Sequence, residues 1–150
     1  MSSTVSKSVL TVIIDESVKL KDNEFNSRQS VKINNINEIS QRLVNVPTSQ
    51  ITLLKLSSSI GAGTYKSSDL KYLRMTNLDN ENYIRLSFTS GSSGNGFDVK
   101  LGALQSYIVS NASISGSAAG GTFDSFTDFD TLKADANTAA CNLELFLASK

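Results

Sequence analysis

Histidine and tryptophan are absent from this 150-residue chain, and cysteine and proline occur once each. Without histidine, a general base would have to be a carboxylate or a lysine, and no such pair stands at strand spacing in a cleft-forming context. The chain therefore reads as a protein that is not an enzyme. The lone Cys141 leaves no intrachain disulfide, so the fold must rest on its core. A nucleophilic thiolate there would need a base that the sequence does not supply; Cys141 is expected to be a small buried residue opening the strand "CNLELFLAS".

Charge of one sign is also missing. Lys+Arg and Asp+Glu both number 14, with no basic run, which argues against nucleic acid as a partner. Zero net charge removes long-range repulsion between copies and so tolerates self-association. No long apolar run is present either. "SVLTVII" is followed at once by Asp15 and Glu16, with no small-residue cleavage site, so no membrane or secretion signal is expected and the chain should stay in the cytosol until lysis.

What is present is abundant Ser, Thr and Asn, with 39% hydrophobic residues in period-two patterns. The expectation is an all-β chain: one antiparallel β-sandwich domain over residues 1–150, jelly-roll-like or Ig-like, with long loops and with residues 1–7 as a flexible N-terminal arm. In Ser8 to Leu20, Leu10, Val12, Ile14, Val18 and Leu20 alternate, predicting a long strand with one face mostly buried. Lys21–Ser30 reads as a polar turn. Asn34-Asn35 predicts a bulge between strands, Pro47 a strand end, and the change of face at Leu53-Leu54 a second bulge. "IGAGTYKSSD" reads as a loop, "TSGSSGNG" as a hairpin tip, and 112–140 as weakly patterned.

Two polar clusters could hold chemistry. Asp79-Asn80-Glu81-Asn82 has oxygen ligands, but they are contiguous and lack the Gly of a calcium loop; Asn and Asp bond their own backbone, so this is expected to be a corner. "FDSFTDFDTLKAD" interleaves Asp124, Asp128, Asp130 and Asp135 with Phe123, Phe126 and Phe129, and reads as a helical turn or a loop pinned by aromatic anchors while its aspartates face water. No metal and no cofactor is expected.

The stretches "LKYLRMTNLDNENYIRLSF", "FDVKLGALQSYIVSN" and "CNLELFLAS" resemble small virion structural proteins of tailed, marine cyanophage-like bacteriophages, in which a Y-L-R-x-T-N-L-D strand and hairpin precedes an x-V-K-L strand. The resemblance covers about four-fifths of the chain. It implies a β-sandwich carried on the particle and transfers no functional residue. The chain departs from the pattern at Leu104, where a Gly is expected after Ala103. The expected role is a non-enzymatic capsid decoration (cement) protein, a self-associating chain taken as a trimer, bound to the major capsid protein or other virion proteins. The alternatives are a neck, tail or fibre-associated component, or a glycan-binding module stacking sugars on Tyr65, Tyr83 or Tyr107. Contacts are expected from the N-terminal arm, from Tyr65 and Lys66 in the glycine loop, and from Phe123, Phe126 and Phe129. The expected localisation is the virion, assembled in the host cytoplasm, without membrane contact.

Overall fold

The computed structural model describes residues 6–59, 61, 63–90, 96–110 and 129–150. These form strands and connections with no helix. The strands are β1 (Ser8–Leu20), β2 (Asn23–Ile36), β3 (Glu38–Val46), β4 (Ile51–Ser57), β5 (Thr64–Lys66), β6 (Leu70–Asn77), β7 (Ile84–Thr89), β8 (Gly96–Leu101), β9 (Ser106–Ser110), β10 (Thr131–Ala136) and β11 (Cys141–Ser149).

β3-β11-β6-β9 form one sheet, β5-β4-β10-β7-β8 a second, and β1-β2 a separate two-stranded ribbon. The chain changes sheet at β3→β4, β5→β6, β6→β7, β8→β9, β9→β10 and β10→β11. That alternation decides between the two expected sandwich topologies: it is a jelly roll, with β5 added at one edge and the ribbon outside.

The alternating strands place their apolar faces between the sheets. Leu73 and Met75 of β6 and Leu143, Leu145 and Leu147 of β11 meet Leu54, Ile84, Leu86, Phe88 and Leu132 of the second sheet, all buried. Cys141 sits among them, as the strand pattern predicted. β3 stops at Val46, one residue before Pro47.

Both expected bulges are present. β2 carries Asn34 and Asn35 against the single residue Val9, with Asn35 in the left-handed region at φ 64°. In β4 the register slips between its Leu54 and Thr52 partners, so Leu53 and Leu54 are both buried.

Several expectations fail. Lys21–Ser30 is not a turn: Leu20 pairs with Asn23, and the reversal uses Lys21 and Asp22 alone. Pairing with β1 supplies the backbone bonds that make a polar segment a strand. The apolar face of β1 is largely exposed, because no sheet covers its outer half. "IGAGTYKSSD" includes β5, parallel to β4. The weakly patterned region holds β10, a central strand between β4 and β7, whose inward residues after Leu132 are the small Ala134 and Ala136. β6 and β7 form no hairpin, since they lie in opposite sheets.

Candidate interaction surface

The two ends of the sandwich differ. At one end, the connections between β3 and β4, β6 and β7, β8 and β9, and β10 and β11 are tied together by backbone bonds. The amide of Asn77 donates to Gln105 O (2.9 Å), Leu78 to Asn142 O (2.9 Å), Leu104 to Asp79 O (3.0 Å), and Ala136 to Pro47 O (2.9 Å).

The Asp79 cluster lies in this web and is a corner between the sheets. Asp79 Oδ1 accepts the amides of Glu81 (2.8 Å) and Asn82 (2.6 Å). Those bonds, Asn82 first, hold the Asp79 carboxyl below its ordinary range. The Asp79 carboxylate is thus spent on backbone amides, and Asn82 Oδ1 accepts the Thr138 hydroxyl. Among the described residues, no three His, Cys, Asp or Glu side chains gather as a metal site. Cys141 is buried, its thiol pushed up by desolvation and secondarily by Asp79.

At the opposite end, the chain leaves β9 at Ser110 opposite Tyr72 and returns at Asp130, whose amide donates to Thr89 O (3.1 Å). Tyr65 and Lys66 lie here on β5, an edge strand, beside Glu38, Asp69 and the C-terminal Lys150. β1 begins here too, with Ser8 opposite Ile36. The segments expected to make contacts therefore start or end at one end of the sandwich. Tyr65 is half-buried with its ring against the core; Lys66 faces a small polar groove.

Phe123 and Phe126 lie outside the described residues. Phe129, expected in an interaction loop, is instead a core residue: its ring stands edge-on to Phe97 (5.2 Å) and Phe88 (6.2 Å). It clamps the chain where it re-enters the sandwich, because β7 and β8 together leave an aromatic slot that an apolar ring fills.

Sequence patterning missed the outer face of the first sheet. The ribbon root lies across it, with Leu10, Val12, Ile33 and Ile36 packed on Tyr72, Phe146 and Ala148. Beside that contact Arg74 pairs with Glu144 (2.8 Å), which also accepts from Gln41 (2.9 Å). Arg74 first, then Gln41, keeps the Glu144 carboxyl low. Further along, Ile39, Leu43 and Leu78 are bare. The signal was available: outward positions on β3 carry Ile39 and Leu43 where a solvated face would carry polar residues.

No family model matches the chain. No curated protein matches it either. Among solved structures, a chain from Bacillus endospore appendages, described as a novel family of disulfide-linked pili, aligns over 99% of this chain and 91% of its own, at 11% identity and a TM-score of 0.45. Likeness at that level bears on neither the topology nor the role of this chain.

Proposed function

We propose that this protein is a non-enzymatic structural component of a phage particle, a capsid decoration protein that self-associates and docks on the major capsid lattice by one end of its jelly roll. The particle is suggested by the sequence resemblance alone. The structural observation that supports a docking role is a convergence at one end of the sandwich, which gathers the root of the ribbon, the β5 edge with Tyr65 and Lys66, and both ends of the 111–128 connection. Loops and open edges are where a rigid scaffold presents docking contacts.

The glycan-binding alternative is weaker. Tyr83 already has the Lys100 ammonium over its ring at 4.5 Å, and Tyr107 packs against Phe88. Tyr83 thus already holds a cation over one face, and Tyr107 is packed against the core. A neck or tail position differs from decoration in copy number, about six to twelve around an axis rather than hundreds over the shell.

The test is light scattering and co-sedimentation with and without empty capsid shells. A trimer that sediments with the shells is the expected result. A protein that stays in the supernatant at every ratio overturns the reading.

A further inference from the structure

Residues directly opposite in an antiparallel pair share a face, so the register sorts the ribbon's side chains. One face carries Leu10 with Ile33, Val12 with Val31, Ile14 with Gln29, Val18 with Phe25, and Leu20 with Asn23, interrupted once by Glu16 with Ser27. The other carries Thr11 with Lys32, Asp15 with Arg28, Ser17 with Asn26, and Lys19 with Glu24, with Ile13 opposite Ser30 as its apolar member. An apolar stripe backed by crossed charges is the pattern of a sheet with one face covered.

Among the described residues, only the root of the stripe is covered, by Tyr72, Phe146 and Ala148. Beyond Ile14, Val18, Leu20 and Phe25 are 56%, 65% and 56% exposed, and the hollow between Val18 and Phe25 is lined by ribbon residues. At about 3.4 Å per residue, the steps from Ile14 to Leu20 carry this bare length roughly 20 Å outward. A two-stranded ribbon is marginal in water without something against its apolar face.

The sheet that covers the root has bare apolar residues of its own. Ile39, Leu43 and Leu78 are 57%, 73% and 44% exposed, and Leu43 and Leu78 flank a shallow groove with Gln41, Arg42 and Glu144. Ile39 pairs with Ala148, which the ribbon root covers. The bare strip therefore continues an interface that the chain already makes with itself.

We infer that the ribbon tip of one copy, through Val18, Leu20 and Phe25, seats on the Leu43–Leu78 groove of a second copy. The tip extends to a neighbour the contact that the root makes within its own chain, the same stripe meeting the same sheet face. On the groove side Glu144 is already held by Arg74 at 2.8 Å, and on the stripe side Glu16 keeps its water at the edge of the contact. The chain has no net charge to hold copies apart. Donor and acceptor surfaces differ, so the contact is heterologous: it closes into a ring, such as a trimer, or runs on as an open chain. This specifies the self-association part of the proposed function and does not depend on capsid binding.

The experiment uses two full-length variants, Val18→Ser/Phe25→Ser at the tip and Leu43→Glu in the groove, followed by sedimentation velocity. The wild type is expected to associate at tens of micromolar, and each variant alone to weaken association by about 100-fold, the scale of losing buried apolar anchors. Mixed, the two variants should form a one-to-one complex, since one keeps an intact groove and the other an intact tip. Wild-type monomer at the highest soluble concentration overturns the inference, and so does undiminished association of Leu43→Glu, which would mean ribbons pairing face to face. Circular dichroism checks that both variants are folded. Co-sedimentation of the tip variant with shells separates the two proposals: shell binding without self-association leaves decoration standing and places the ribbon contact apart from it.

Discussion

Asn77 and Asp79 brace one corner together: the Asp79 amide donates to Asn77 Oδ1 at 3.0 Å, while Asp79 Oδ1 accepts the amides of Glu81 and Asn82. Asn77 is fully buried, and its Nδ2 donates to the carbonyls of Asn82 (2.8 Å), Gly102 (3.1 Å) and Leu101 (3.2 Å). One amide thus joins the β6–β7 corner to the β8–β9 turn. Asn77→Ala leaves these carbonyls without a donor and is expected to lower unfolding stability by about 2–3 kcal/mol. Urea denaturation measures this; a loss below half a kcal/mol would mean water replaces the amide.

Asp79 and Glu144 both have carboxyls held below their ordinary values of 3.8 and 4.5. The unfolded chain therefore binds protons at a higher pH than the folded one. Their contribution to stability is present above about pH 5 and is lost as pH falls through and below the ordinary carboxylate range. The urea midpoint should hold steady from pH 7 to 5 and then decline. In Asp79→Asn the decline should be shallower; an unchanged slope would remove Asp79 from the explanation.

Leu104 occupies the left-handed region, φ 56°, at the position where glycine is expected, and its side chain is exposed. Its amide still closes the turn onto Asp79 O. Leu104→Gly should relieve the Cβ penalty and stabilise by about 0.5–1 kcal/mol, after the entropy glycine adds to the unfolded state. Leu104→Ala, which keeps the Cβ, should not. Thermal melts of the pair decide it.

Two phenylalanines serve as opposite controls. Phe129 is buried in the aromatic slot of β7 and β8, and Phe129→Ala should cost about 3–4 kcal/mol. Phe25 stands exposed on the ribbon, and Phe25→Ala should change monomer stability by less than about half a kcal/mol. Dilute-solution unfolding distinguishes them, and equal losses would contradict the assigned burial.

Cys141 should react with a thiol reagent only on the timescale of unfolding. Burial raises its thiol above the ordinary 9.0, so its contribution to stability is intact below that pH and is lost as pH rises further. Rapid labelling of the native protein would show an open β11 end.

The sequence by itself determined the local backbone. Alternation from Leu143 to Leu147 marked a strand, Pro47 a stop, Asn34-Asn35 a bulge, and Asp79 to Asn82 a reversal, because each depends on the conformational preference of a few adjacent residues. What lay across from each strand was decided only in tertiary structure. TLKADA is a faint pattern until β4 and β7 flank it, and β6 and β7 look like a hairpin until they are seen in opposite sheets. The same holds for the apolar stripe of β1. Its period is legible from Leu10 to Leu20, but burial depends on what stands against it: Tyr72 and Phe146 cover the root, and nothing within the described chain reaches Val18 or Leu20. Period is a property of one segment, whereas burial is a property of two.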